Sequence, residues 1–307
     1  MYAIANLMEE GKMQEATALS AKLSAARGEF ASTLYIQSPR DGMARLNPLL
    51  PVALRTGEWD AVLRMVNGGN PGTDAPVVSN PNAKVENLNF LAGQLAEFAR
   101  GMQAAQAAIQ TGNTTAAEAA SQKLDAELWR LSQRVHDQPA EKKPSLTAPA
   151  MAVVMPDAEA APLLSSLSVM SLELRATILA AKKRVPEAKT LFEQAAQEEK
   201  KLGYREPPAY VRPVGETEGV VLLRAGDAAD AHAAYAAAQK NRPNSGFSLY
   251  GMAQASEATG NAAKAREEYA HFLAAWKNSD QSRPEVAHAR AYLAQEKTVV
   301  TASAPRP

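Results

Sequence analysis

The sequence predicts an all-α protein, a solenoid of helical hairpins with loop-rich insertions, and three observations carry that expectation. Alanine is abundant while aromatic residues make up only 6% of the chain, a composition that suits close helix packing and lacks the branched and aromatic runs of strands. Two stretches, "GDAADAHAAYAAAQKNRPNSG" from Gly226 and "GNAAKAREEYAHFLAAWKNSD" from Gly260, correspond at a fixed offset of 34 residues. Gly226 answers to Gly260, Ala231 to Ala265 and Tyr235 to Tyr269. Finally, a glycine or polar residue recurs wherever one helix must end and the next begin, as a left-handed helix stop requires.

Each element follows from that frame. Small residues let two antiparallel helices approach, and a ring one turn later fills the groove toward the next unit. The ladder reads Ala231, Tyr235, Ala238, then Ala265, Tyr269, Phe272, and upstream Ala188, Phe192, Ala195. Six helical pairs are expected, turning near Gly11, Gly57, Gly112, Lys183, Gly226 and Gly260. Three stretches interrupt them: a Gly, Pro and Asn-rich loop over 67–87, a Pro, Ala and Lys-rich insertion over 136–162, and the segment 201–213. All three are expected to be surface loops. The chain thus divides into degenerate repeats over 1–135, the insertion 136–162, regular repeats with a capping helix over 163–296, and a disordered tail over 297–307. The abrupt start of the array, without a polar cap, suggests that further repeats precede it.

The Ala231, Tyr235 and Pro243 spacing, with Gly219 on the preceding helix, resembles the tetratricopeptide pattern of Ala-x3-Phe followed by Pro. Glu218, where leucine is usual, and Lys277, in place of proline, depart from it. The run from "YREPPAYVRP" through "NSGFSLYGMAQASEATGNAAKAREEY" is similar to the carboxyl-terminal repeats of long bacterial tetratricopeptide proteins, and the likeness is most specific over the last 110 residues. It implies a superhelical interaction scaffold of bacterial origin, in a group whose members are often periplasmic or exported, belonging to a larger assembly, and it brings no catalytic residues; the sequence itself does not name the compartment.

Composition narrows the function further. Thirty-three Lys and Arg balance thirty-three Asp and Glu, so no overall field draws the chain to nucleic acid. There are no cysteines, which removes disulfides, thiolate metal sites and cysteine nucleophiles. No run approaches the ~18 consecutive apolar residues of a membrane span, so the chain reads as soluble, without membrane insertion. The four histidines, His136, His232, His271 and His288, never fall three or four apart, and no phosphate-binding glycine loop or nucleophile elbow is present. No catalytic residue, cofactor or metal site is therefore expected.

What remains is recognition. In repeats of this kind the first helix of each pair lines the concave surface, and in the last unit that row is Phe247, Tyr250, Gln254 and Glu257. Glu173 and Thr177 occupy the same row in an earlier unit, and Tyr204, Arg205, Tyr210 and Arg212 form a second cluster in the 201–213 segment. Tyrosine and arginine are frequent binding anchors. The expected function is a non-enzymatic scaffold that binds a peptide or protein segment in its concave groove. The alternative is a small-ligand or metal-binding protein that uses the superhelix as a pocket.

Overall fold

A computed structural model describes residues 2–25, 43, 47, 49–67, 85–136, 160–203, 208 and 210–302. Among them there is no strand. The helices are α1 (Tyr2–Glu9), α2 (Met13–Ala25), α3 (Leu50–Thr56), α4 (Trp59–Asn67), α5 (Val85–Thr111), α6 (Thr115–His136), α7 (Ala160–Ala181), α8 (Val185–Lys201), α9 (Val214–Ala225), α10 (Ala228–Asn241), α11 (Gly246–Ala258), α12 (Ala262–Ala275) and α13 (Pro284–Ala302). They pack as adjacent pairs, α1 with α2 through α11 with α12, and α13 covers α12.

The six reversals fall at the predicted residues, and five share one hydrogen-bond pattern. At Gly226, for example, the glycine N–H donates to the Leu223 carbonyl and the Asp227 N–H to that of Leu222. The same pair of bonds closes the turns at Gly11, Gly57, Lys183 and Gly260, satisfying carbonyls that the helix end would otherwise orphan. Each turn residue has positive φ. Lys183 does so without being glycine, at φ 63°, and its ammonium donates to the Ile109 carbonyl at 3.2 Å, binding the turn to α5. Asp227 and Asn261 then cap the following helices through the N–H groups of Asp230 and Lys264.

The small-large ladder is buried in all three units where it was read. Its tightest point is the Tyr235 ring, held between two helical glycines. A Cβ on Gly219 would lie 2.6 Å from that ring, and one on Gly251 would lie closer still. Alanine is favoured over glycine in a helix by about 1 kcal/mol, but overpacking a filled core costs about 1–3 kcal/mol, so the clash decides the sign at Gly251. Gly251→Ala should therefore lower the denaturation midpoint. Gly93→Ala, in a helix where the added methyl meets nothing within 4 Å, should raise it by an amount equivalent to about 1 kcal/mol.

Three expectations change. The helix α13 runs on to Ala302, through residues assigned to a disordered tail; alanine, threonine and valine there continue a helix with no proline to stop it before Pro305. The 201–213 segment is not a surface loop throughout, because Tyr210 and Val211 are buried. Burial of that backbone is possible because the Arg242 guanidinium donates to both their carbonyls. Lastly, the window Leu164–Ala181 in α7 has a mean hydropathy of 1.3, long and apolar enough to cross a membrane by composition, yet two thirds of it is buried inside the fold. The 67–87 loop beyond Asn67 and before Val85, and most of the 136–162 insertion, lie outside the described residues.

Candidate functional site

Phe247, Tyr250, Gln254 and Glu257 form one stripe of α11, and all four are half-buried. They do not share one environment. Phe247 packs edge-on against Trp276 and lies beneath the Arg55 guanidinium, 4.1 Å from its ring centroid. It also joins the apolar cluster of the amino-terminal hairpin, with Ile4, Met8 and Leu19. Tyr250 turns the other way, toward Tyr269, Phe272 and His288.

Around Tyr250 the stripe becomes a connected polar strip. Gln254 Nε2 donates to the Tyr250 hydroxyl at 3.1 Å, and the Tyr269 hydroxyl donates to Glu257 Oε2 at 2.5 Å. His288 Nε2 lies 2.9 Å from that carboxylate oxygen and 3.0 Å from the Tyr269 hydroxyl. Burial, and then the nearby Glu285 and Glu257 carboxylates, push the Tyr250 phenol up to about 12, so its hydroxyl keeps its proton at neutral pH. The Glu257 and His288 side chains remain 34% and 43% exposed, which leaves the end of the strip open to solvent.

The other predicted residues lie elsewhere. Thr177 is buried and bonds back to the Glu173 carbonyl within its own helix. Tyr204 and Arg205 lie outside the described residues. Glu173, Tyr210 and Arg212, read from separate parts of the sequence, come together at one pocket that Thr217, Trp59, Phe98, Met43 and Met170 help to line. The Tyr210 hydroxyl donates to Glu173 Oε2, whereas Glu173 Oε1 and Arg212 Nε are buried without a hydrogen-bond partner. The Thr217 hydroxyl faces the same carboxyl and, like Tyr210, favours its ionised form. Burial raises the Glu173 carboxyl to about 7, against the lowering effect of the Tyr210 bond.

Beside this pocket lies a buried polar node outside the residues expected from the sequence to bind a partner. Arg55, 1% exposed, pairs with Glu216, 3% exposed, through both terminal nitrogens. Its Nε and Nη2 also donate to the two oxygens of Glu9, each at 2.9 Å. Ser245 bridges both carboxylates, Ser248 donates to Glu216, and Arg242 reaches Glu9 at 3.4 Å. Burial alone would raise the Glu9 carboxyl, but Arg55, with Arg242 and Ser245 in support, overrides it and holds the group at about 2.

The node lies at the seam where the chain's two ends meet. The Trp276 indole N–H donates to the Glu9 carbonyl at 2.8 Å, and the Asp280 N–H donates to the Gly11 carbonyl at 3.2 Å. The Asp280 carboxylate accepts the Gln14 N–H at 2.9 Å and so caps α2 from 266 residues away. Gly11 is constrained twice, by its φ of +74° and by the Trp276 ring 2.6 Å from where a Cβ would stand. A lone arginine in the otherwise apolar "LLPVALRT" of α3 was the available sequence signal for this arrangement, since a charge on a core-facing stripe needs a buried partner.

The class that this fold defines is an all-α protein built of helices packed in adjacent pairs. Compared with known proteins, the chain matches no family model, no curated protein and no solved structure. Among the described residues no group of three or more His, Asp or Glu could hold a metal ion. His232 is committed to Glu268 at 2.7 Å, and His271 is exposed.

Proposed function

We propose that the protein is a non-enzymatic bacterial scaffold of tetratricopeptide type that holds a peptide or protein segment against the first helices of its carboxyl-terminal hairpins. The observation that carries this reading is the half-open strip of Tyr250, Gln254, Glu257 and His288, which offers rings and hydrogen-bonding groups at one place. In a tetratricopeptide superhelix this row faces the concave side. The equivalent upstream positions, Glu173, Thr177 and Glu216, are buried, so the usable part of such a groove is confined to its last unit.

The chemistry of the strip suits an anchor role. A tyrosine presents a large amphipathic area with only two rotatable side-chain bonds to order, and Tyr250 is already braced by Tyr269 and Phe272. Gln254 spends an amide N–H on Tyr250 and has its carbonyl oxygen left for a partner's backbone N–H.

The test is affinity capture from the organism that encodes the chain, with wild type beside a Tyr250→Ala, Gln254→Ala variant of matched helical content by circular dichroism. A protein enriched stoichiometrically by wild type and reduced at least tenfold by the variant is the expected result. Equal enrichment by both would remove the strip from the interface.

A further inference from the structure

Two rings of the α11 stripe stand one turn apart, and the fold shows what the first of them holds. Phe247 lies beneath the Arg55 guanidinium, 4.1 Å from its ring centroid. That guanidinium is fixed by the carboxylates of Glu9 and Glu216 and by the Ser245 hydroxyl. Ring, carboxylate and neutral hydrogen-bonding group together seat an arginine. A second guanidinium, that of Arg266, stands over Tyr292 of α13 at 5.6 Å. Arginine suits such places because its flat, weakly hydrated cation stacks on a ring while its five N–H donors meet acceptors.

Tyr250 has comparable surroundings without the arginine. Among the described residues no guanidinium covers its ring. Glu257, 34% exposed, supplies the carboxylate, and Gln254 the neutral group. The donors at this end of the strip are already spent. The Tyr269 hydroxyl donates to Glu257 Oε2, and the His288 imidazole, facing a carboxylate oxygen that has no proton to give, donates to the same atom through its Nε2–H. Gln254 Nε2 donates to the Tyr250 hydroxyl. Left over are acceptors: Glu257 Oε1, the Gln254 carbonyl oxygen and, in the neutral imidazole, His288 Nδ1. Glu285 is a second carboxylate whose charge acts on Tyr250, but Arg283 holds both its oxygens. A surface short of donors is matched by a partner group that has only donors to offer.

We infer that the segment held by this strip carries an arginine, its guanidinium seated on the Tyr250 ring and donating to Glu257 Oε1, as Arg55 does with its own ring and carboxylates one turn earlier. The Gln254 carbonyl oxygen, which can accept twice, serves both that guanidinium and a backbone N–H. Lysine is the poorer fit, because a compact, strongly hydrated ammonium neither lies flat on a ring nor presents a fork of donors. The inference rests on the peptide-binding reading and names the side chain which that partner must bring.

Peptides selected by phage display on the immobilised full chain at pH 8 test it, each first sorted by whether the Tyr250→Ala, Gln254→Ala variant still captures it. The expected result is that peptides lost with that variant share an arginine. Exchanging that arginine for citrulline, which keeps the shape and removes the charge, should weaken binding to the wild type about tenfold by fluorescence polarisation, the worth of a hydrogen bond to a charged group. Glu257→Gln should weaken the arginine peptide by a similar factor and leave the citrulline peptide unchanged. Its amide oxygen still accepts the Tyr269 hydroxyl, so the packing around it is kept. Strip-dependent peptides without a shared arginine, or an arginine peptide indifferent to both changes, would overturn the inference and leave the peptide-binding reading standing. A selection in which no peptide depends on the strip would remove that reading and the inference with it.

Discussion

Replacing Arg55 with methionine is expected to cost about 3–5 kcal/mol, because it strips the counter-charge from two carboxylates at once and leaves Glu216 buried and unpaired. The loss should be greatest at the seam. Glu9 and Ser245 are tied together through that guanidinium, Arg242 joins them through Glu9, and Phe247 lies under it. Urea denaturation should show a midpoint lowered to match, and hydrogen exchange should show the amides of α1 and α2 losing protection first. A double variant, Arg55→Met with Glu216→Met, removes both members of the most buried pair and should recover part of the stability, since an apolar replacement of a buried pair is often close to neutral. A single variant no less stable than wild type would mean that the node carries none of the closure.

Glu173→Gln is expected to do the reverse and stabilise the protein, by an amount that grows as pH rises above about 4.5 and levels off above about 7. The folded-state pKa of about 7 exceeds the ordinary value of 4.5, so between those values the folded chain holds a proton that the unfolded chain has released. Stability from this group is therefore fully present below about 4.5 and is lost as pH rises to about 7. At roughly 1.36 kcal/mol per pKa unit, ionising Glu173 in place costs on the order of 3 kcal/mol at pH 8. Glutamine escapes that cost and still accepts the Tyr210 hydroxyl. Thermal melts should place the variant well above wild type at pH 8, with the gap closing toward pH 4.5. A constant gap across that range would mean that the carboxyl does not titrate as its burial requires.

The hairpin rhythm was legible because it is local. A glycine stop, a small crossing residue and a ring one turn later lie within a dozen residues of each other, and Gly226, Ala231 and Tyr235 behave in the structure as that spacing requires. Even the degenerate pairs at Gly11 and Gly57 were readable, since the left-handed turn leaves the same mark wherever it occurs. What could not be read was long-range. Nothing near Glu9 points to Arg55, Glu216 and Ser245, and nothing near Asp280 indicates that it caps a helix at the other end of the chain. The same limit applies to the proposed binding residues. Their spacing placed Phe247, Tyr250, Gln254 and Glu257 on one face, but only the fold shows that the amino-terminal hairpin covers the first of them. Glu173, Tyr210 and Arg212 were chosen as groove or loop residues, and the buried cavity they share arises from α3, α4 and α5 packing over them.

The most direct measurement is site-specific photo-crosslinking in the cells that make the protein, with a photoreactive phenylalanine placed in turn at Gln254, Glu257 and Lys264. Gln254 and Glu257 lie on the proposed binding strip, whereas Lys264 is an exposed position on α12. One discrete crosslinked protein at positions 254 and 257, and none at 264, is the predicted result. Crosslinks of equal yield at all three positions, or at 264 alone, would contradict a partner held by the strip.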